Sequence, residues 1–193
     1  MPWSVLHVKF LFCIRKAAKN ERLPVKKWKA EHREGTVYLL QKPKKGEEKL
    51  AQTVLITGTG RPYALGFNMV KRYLEHGDTV FASVRRPSEA LEALQEEYPD
   101  RLHILNMDIA VTESVNAAAW AAGKLTDHLD LIINNATTAS ADTMKELPDF
   151  DLDLIAPAVN VGAVGPIRVL KAFLPLLKKS AIGGLVVNIC LLF

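Results

Sequence analysis

Thr53-Val54-Leu55-Ile56-Thr57-Gly58-Thr59-Gly60-Arg61-Pro62-Tyr63-Ala64-Leu65-Gly66-Phe67 joins a β-branched apolar run to a glycine-rich turn and then to the start of a helical pattern. A strand that ends in such a turn delivers bare backbone N–H groups to the first turn of the next helix, a ready seat for a phosphate. Glycines alone would fit a tight βα turn with no ligand equally well. Residues C-terminal to this stretch repeat its strand–helix unit, and residues N-terminal to it do not.

Apolar runs recur at 53–57, 79–84, 102–107, 129–134 and 184–190. Helical patterns separate them at 65–76, 88–97 and 112–125, and a long one ends at 167–179. Runs that are apolar throughout, rather than alternating, predict strands covered on both faces. Strands alternating with helices of this length predict right-handed βαβ units and an α/β, doubly wound parallel sheet. The punctuation agrees: His76-Gly77-Asp78 offers a glycine stop for the first helix, and Pro87-Ser88-Glu89 a start for the second. The expectation is about five parallel strands in Rossmann order within residues 51–193.

With 193 residues, 49% of them apolar, the chain can hold one domain with a substantial core. Its net charge of +4 hides an asymmetry. Residues 1–50 carry 13 Lys and Arg against 5 acids, whereas 51–193 carry 12 against 16. The basic character therefore belongs to the leader, and the body gives no warrant for nucleic-acid binding. Residues 5–14 are too short and too interrupted, by His7 and Lys9, to span a bilayer. No basic residue precedes them and no small-residue cleavage site comes after, which argues against a secretory signal. An acid-free start with four basic residues faintly suits a mitochondrial presequence; a solvated, poorly ordered extension is the plainer reading. Residues 34–50, with Lys42-Pro43-Lys44-Lys45-Gly46, read as a linker. Cys13 and Cys190 lie at opposite ends without CxxC or His spacing, which suits a reduced, cytoplasmic protein and offers no metal site.

The body resembles the short-chain dehydrogenase/reductase superfamily. That family opens on T-G-x-x-x-G-x-G, and here Thr57-Gly58 is followed by Ala64-Leu65-Gly66. The turn is two residues longer, through Pro62-Tyr63, and Ala64 replaces the middle glycine. That spacing is similar to the divergent enoyl-acyl-carrier reductases. The resemblance implies that Gly58, Leu65 and Gly66 meet the pyrophosphate of a nicotinamide dinucleotide. Asp108-Ile109 matches the acid that meets the adenine amino group, although an Asp capping the following loop is the plainer reading and the two are compatible. Asn134-Asn135-Ala136-Thr137 resembles N-N-A-G, placing Asn135 and Ala136 at the cofactor, with Thr137 narrowing the loop beside the nicotinamide ribose. NAD-preferring folds carry an acid after the second strand to hold the ribose 2′-hydroxyl. Here Val84 is followed by Arg85 and Arg86, and a guanidinium fork suits a 2′-phosphate. NADP(H) is therefore expected, with Arg85 as the contact and Arg61 as a second; a merely solvated Arg85 is the alternative.

Lys171-Ala172-Phe173-Leu174-Pro175-Leu176-Leu177 resembles the family's long crossover helix, through which members often form homo-oligomers. Family members carry an Asn there that supports a water in the proton relay. Anchored on Gly165 and Ala172 it should fall at Gly162, while the residue available is Asn160. Two helical positions are about 200° of rotation, so Asn160 serves only if the backbone bulges locally. Residues 183–191 resemble G-x-I-V-N-I-S-S, with Leu191 at the catalytic Ser. The Tyr-x3-Lys pair expected on the next helix has no counterpart after Phe193; Tyr38 and Lys42 share the spacing by chance. Hydride transfer to a carbonyl needs a proton donor and a polarising group, and general acid catalysis is worth roughly 10²–10⁴-fold. Three readings are open: a truncated NADP-dependent oxidoreductase of carbonyls and secondary alcohols with little activity of its own, a non-catalytic nucleotide- or partner-binding module, and a fragment without a stable fold.

Overall fold

The computed structural model describes residues 51–138 and 155–189, with 149, 151 and 153 between them. The expectations for the leader, 1–50, and for 190–193 lie outside the described residues. Five strands, β1 (Thr53–Thr57), β2 (Thr79–Val84), β3 (Leu102–Asn106), β4 (Leu131–Asn134) and β5 (Leu185–Asn188), form one sheet in the order β3-β2-β1-β4-β5. All pairings are parallel, with Thr57 level with Ser83, Ile56 with Ile133 and Asn134 with Asn188. This is the doubly wound arrangement that the sequence pattern predicts.

Helices cover both faces, and each strand divides its side chains between them. Val54 and Ile56 of β1 join Val80, Ala82, Leu131 and Ile133 in one core, while Leu55, Phe81 and Ile132 point into the other. Helix α1 (Leu65–Glu75) closes the first core through Gly66, Met69, Val70, Tyr73 and Leu74, the spacing of a single helical face. Helix α2 (Glu89–Glu97) adds Leu91 and Leu94, and the Ser88 hydroxyl caps it by accepting the Leu91 N–H at 3.4 Å. The second core is closed by α3 (Thr112–Ala122) and by the crossover from β4 to β5. That crossover comprises α4 (Ile155–Val159), a π-helical turn at Asn160–Val164 and α5 (Gly165–Leu177). By length and composition Ile155–Leu177 is apolar enough to cross a membrane. Here Gly165, Val169, Phe173 and Leu177, four residues apart, dock α5 on the sheet.

Some element ends fall short of the sequence pattern. Strand β4 starts one residue after Asp130 rather than at 129. The Asp130 carboxylate accepts the Thr53 N–H at 2.9 Å and the Ser180 hydroxyl at 2.6 Å. On the other side of β1, Asp78 accepts the Gln52 N–H at 2.9 Å. The two buried carboxylates fix the start of the central strand. Helix α3 ends at Ala122, three residues before the helical pattern does, and β3 ends at Asn106 before the Met107–Asp108 loop.

Candidate functional site

The ends of the strands open into a cleft of about 1250 Å³. It lies beside the boundary between β1 and β4, where the winding of the sheet reverses and open parallel sheets bind their ligands. Gly58, Arg61, Leu65, Gly66, Arg85, Asp108, Ile109, Asn135, Ala136 and Asn160 all line it, so these ten candidates meet in one place, whereas Leu191 lies outside the described residues.

The turn after β1 is fastened to its neighbours. The Gly58 and Thr59 N–H groups both donate to the Ser83 carbonyl, at 3.1 and 3.2 Å. The two extra residues close a small turn of their own, with the Ala64 N–H on the Arg61 carbonyl at 3.2 Å. Pro62 and Tyr63 stand at its centre, and Tyr63 has φ +66°, the signature of a type II turn at a position that favours glycine. Helix α1 then starts from an extended Ala64 with no side-chain cap and no acid in its first turn. Leu65 and Gly66 thus bring uncapped N–H groups and the positive end of the helix dipole to the cleft.

Gly58 (φ +74°) and Gly66 are needed by the protein itself. A Cβ on Gly58 would come 2.6 Å from the Ala136 Cα, and one on Gly66 would collide with the Gly58 carbonyl and the Asn135 amide. Thr57 explains this closeness. Its hydroxyl accepts the N–H groups of Asn135 at 3.0 Å and Ala136 at 2.9 Å, drawing the β4 loop against the glycine turn. The Asn135 side-chain amide returns to the carbonyls of Thr57 and Gly58 at 2.9 and 3.2 Å. Asn135 therefore shapes the turn as well as lining the cleft.

Charge around the cleft is lopsided. Arg61, Arg85 and Arg86 line it, and Asp108 is the one acid among the described lining residues. Gly60 packs beside Val84 and the Arg86 carbonyl, which sets the Arg61 turn next to the Arg85-Arg86 pair. One Asp108 oxygen accepts the Ala110 N–H at 2.9 Å, and its own N–H donates to the Ser114 hydroxyl at 2.9 Å. The loop-capping account of Asp108 thus has its hydrogen bond in place. Strongly perturbed protons lie elsewhere. On the buried face of α1, Tyr73 is pushed up to about 12, first by burial and then by the Asp78 charge.

Asn160 opens the π-helical turn, the local bulge on which its place in the site depends. Its Nδ2 donates to the Ala110 carbonyl at 3.3 Å, and its Oδ1 accepts from Arg168 at 2.7 Å. Both ends of the amide are held by the protein. Arg168 and the Thr57 hydroxyl are the contributors that sequence reasoning missed, and Arg86 was noted there without a role. The faint signal for Arg168 was a guanidinium in a helix whose one other charged residue is Lys171.

The short chain dehydrogenase family profile matches residues 52–191. A "Short chain dehydrogenase gsfK" of Penicillium aethiopicum is 34% identical over 147 residues, covering 72% of this chain and 55% of the relative. Mouse estradiol 17-beta-dehydrogenase 2 is 33% identical over 141 residues, 72% of this chain and 35% of its own. Among solved structures, an NADPH-bound carbonyl reductase from chicken fatty liver superposes with a TM-score of 0.61 at 29% identity, covering 68% of this chain and 54% of that one. A short-chain dehydrogenase/reductase of Burkholderia multivorans with bound NADP gives 0.57 at 30%, covering 66% and 54%. The chain spans about half the length of the first curated relatives it matches. With its five-stranded sheet, its glycine turn and its Asn-Asn-Ala loop at one cleft, this chain belongs to the short-chain dehydrogenase family.

Proposed function

We propose that this chain is the dinucleotide-binding part of an NADP(H)-dependent oxidoreductase that reduces carbonyls or oxidises secondary alcohols. The observation that carries the reading is the pairing, in one cleft, of an uncapped helix N-terminus with Arg61, Arg85 and Arg86. The first offers N–H donors to a diphosphate, and the second offers guanidinium groups to a further phosphate. Neighbours of similar sequence that hold NADPH and NADP support the choice of coenzyme.

The residues present fit such a group. Uncapped amides of α1 would take the pyrophosphate, Arg85 with Arg61 the 2′-phosphate, and the Asp108–Ile109 loop the adenine. Ala136 and Asn135 would border the nicotinamide ribose. When bound, the nicotinamide supplies or accepts a hydride. The chain's own residues bind, orient and enclose. Thr57 and Asn135 hold the turn against the β4 loop, and Asn160 holds the Ala110 carbonyl.

Among the described residues lining the cleft none is a Tyr, Lys, His or Cys, the side chains that most readily exchange a proton near neutral pH. We infer that this chain turns over slowly, with Leu191 at the position of the family's catalytic Ser, and the second reading is a nucleotide-binding module without catalysis. The reduced, cytoplasmic setting and self-association belong to the same proposal. NADPH oxidation monitored against a panel of ketones tests it. Binding of NADPH without turnover is the expected result; brisk ketone-dependent oxidation would overturn the inference of slow catalysis, and no binding would overturn the whole reading.

A further inference from the structure

Arg168 sits on α5, one turn after Gly165, half-buried and outside the lining of the cleft. Its guanidinium meets no carboxylate among the described residues. Among the described residues, every partner it has is a neutral acceptor. Nε donates to the Thr112 hydroxyl at 3.1 Å, and Nη1 to the Ile109 carbonyl at 3.2 Å. Nη1 also reaches the Asn160 carbonyl at 3.5 Å, and Nη2 the Asn160 Oδ1 at 2.7 Å. These partners come from three separate places: the loop after β3, the start of α3 and the π-helical turn.

The same loop is pressed from a second side. A Cβ on Gly165 would come 2.9 Å from the Ile109 Cδ1 and 3.2 Å from its carbonyl oxygen, so the helix backbone lies directly on Ile109. Asn160 then holds the next carbonyl, that of Ala110, at 3.3 Å. Ile109, Ala110 and Asn160 all line the cleft, and each is anchored from behind through Arg168 or through Asn160, which Arg168 orients. A π-helical turn is a strained insertion that keeps its shape only where its surroundings hold it. A planar fork with five donors is the side chain suited to hold a side-chain oxygen and two carbonyls at once.

We propose that Arg168 is a positioning residue of the cleft, which sets dinucleotide affinity by holding the Ile109–Ala110 wall and Asn160 without touching the ligand. The inference rests on the dinucleotide reading above. Its test is the NADPH dissociation constant of the full chain, read by nucleotide fluorescence well below the melting temperature, for wild type, Arg168→Met and Arg168→Lys. Leu94→Ala, on the buried face of α2, is the control for lost stability alone. Loss of several charge-assisted hydrogen bonds at the wall should weaken NADPH about tenfold in Arg168→Met. Arg168→Lys, keeping the charge but not the fork, should lie between it and wild type. Leu94→Ala should lower the melting temperature and leave the dissociation constant within about twofold. Asn160→Ala should weaken binding in the wild-type background and add little to Arg168→Met, the non-additivity of residues acting as one unit. If Arg168→Met does not fold, Arg168→Lys carries the comparison. Wild-type affinity in a folded Arg168 variant overturns the inference and leaves the dinucleotide reading standing; a folded wild type that binds no dinucleotide overturns both.

Discussion

Thr57 and Asn135 hold each other by a reciprocal pair of hydrogen bonds: the Thr57 hydroxyl accepts the Asn135 N–H at 3.0 Å, and the Asn135 side-chain amide donates to the Thr57 carbonyl at 2.9 Å. Thr57 is fully buried. The pair joins the ends of the two central strands, and the glycine turn and the Asn-Asn-Ala loop take their spacing from it. Thr57→Val keeps the shape and strands two N–H groups, those of Asn135 and Ala136. Urea denaturation should show a loss of about 2–3 kcal/mol. Thr57→Ser, which keeps the oxygen, should stay within about 1 kcal/mol of wild type.

Gly58 has a positive φ and no room for a Cβ. Gly58→Ala should therefore cost more than backbone strain alone, about 2–4 kcal/mol by the same measurement. A loss below about 1 kcal/mol would mean that the turn can move away from Ala136, and that its spacing is less fixed than the hydrogen bonds indicate.

Tyr63 gives the opposite sign. It occupies the left-handed region with its side chain 95% exposed, so the side chain contributes little to set against the strain. Tyr63→Gly should raise stability by about 0.5–1 kcal/mol, since glycine adopts this conformation without penalty. Unchanged or lower stability would show that the exposed ring has a function in the turn.

On the proposed reading, Arg85 selects the coenzyme. Arg85→Asp replaces a guanidinium with a charge of the sign that repels a 2′-phosphate and suits a 2′-hydroxyl. NADPH affinity should fall about 10- to 100-fold and NADH affinity should change little, read by parallel fluorescence titrations. Equal changes for the two coenzymes would remove Arg85 from the 2′-phosphate.

His103 on β3 packs its ring 4.9 Å from that of Phe81, and burial holds its pKa below 6.5 against the weaker pull of Asp100. A base whose folded pKa is depressed binds fewer protons folded than unfolded. The contribution is thus complete above about pH 6.5 and is lost as pH falls through the lower folded value. His103 is only partly buried, and solvent screening keeps the effect below about 1 kcal/mol. Melting temperatures from pH 7.5 to 5 should fall less steeply in His103→Phe than in wild type.

The sheet was readable because buried parallel strands leave an unmistakable pattern, and Val54–Ile56 or Leu131–Ile133 could hardly be anything else. The site residues were readable because short motifs sit at strand ends, where the topology must bring them together. Other features were hidden by being side-chain geometry across long separations. Arg168 meets Ile109 and Thr112 over gaps of more than fifty residues, and nothing local marks it. The bulge at Asn160 could be stated only as a condition, because its spacing to Gly165 misfits a regular helix without saying how the backbone absorbs it. The glycines were legible as glycines, but their tight fit against Ala136 and Asn135 came from Thr57 across the sheet.

Calorimetric titration of the folded chain with NADPH, paired with its melting curve, tests the central claim most directly. One site per chain and a transition that rises with coenzyme, by about 2.7 kcal/mol at a hundredfold excess over the dissociation constant, is the expected result. A cooperative transition that neither NADPH nor NADH shifts at millimolar concentration, with no heat of binding, would contradict it.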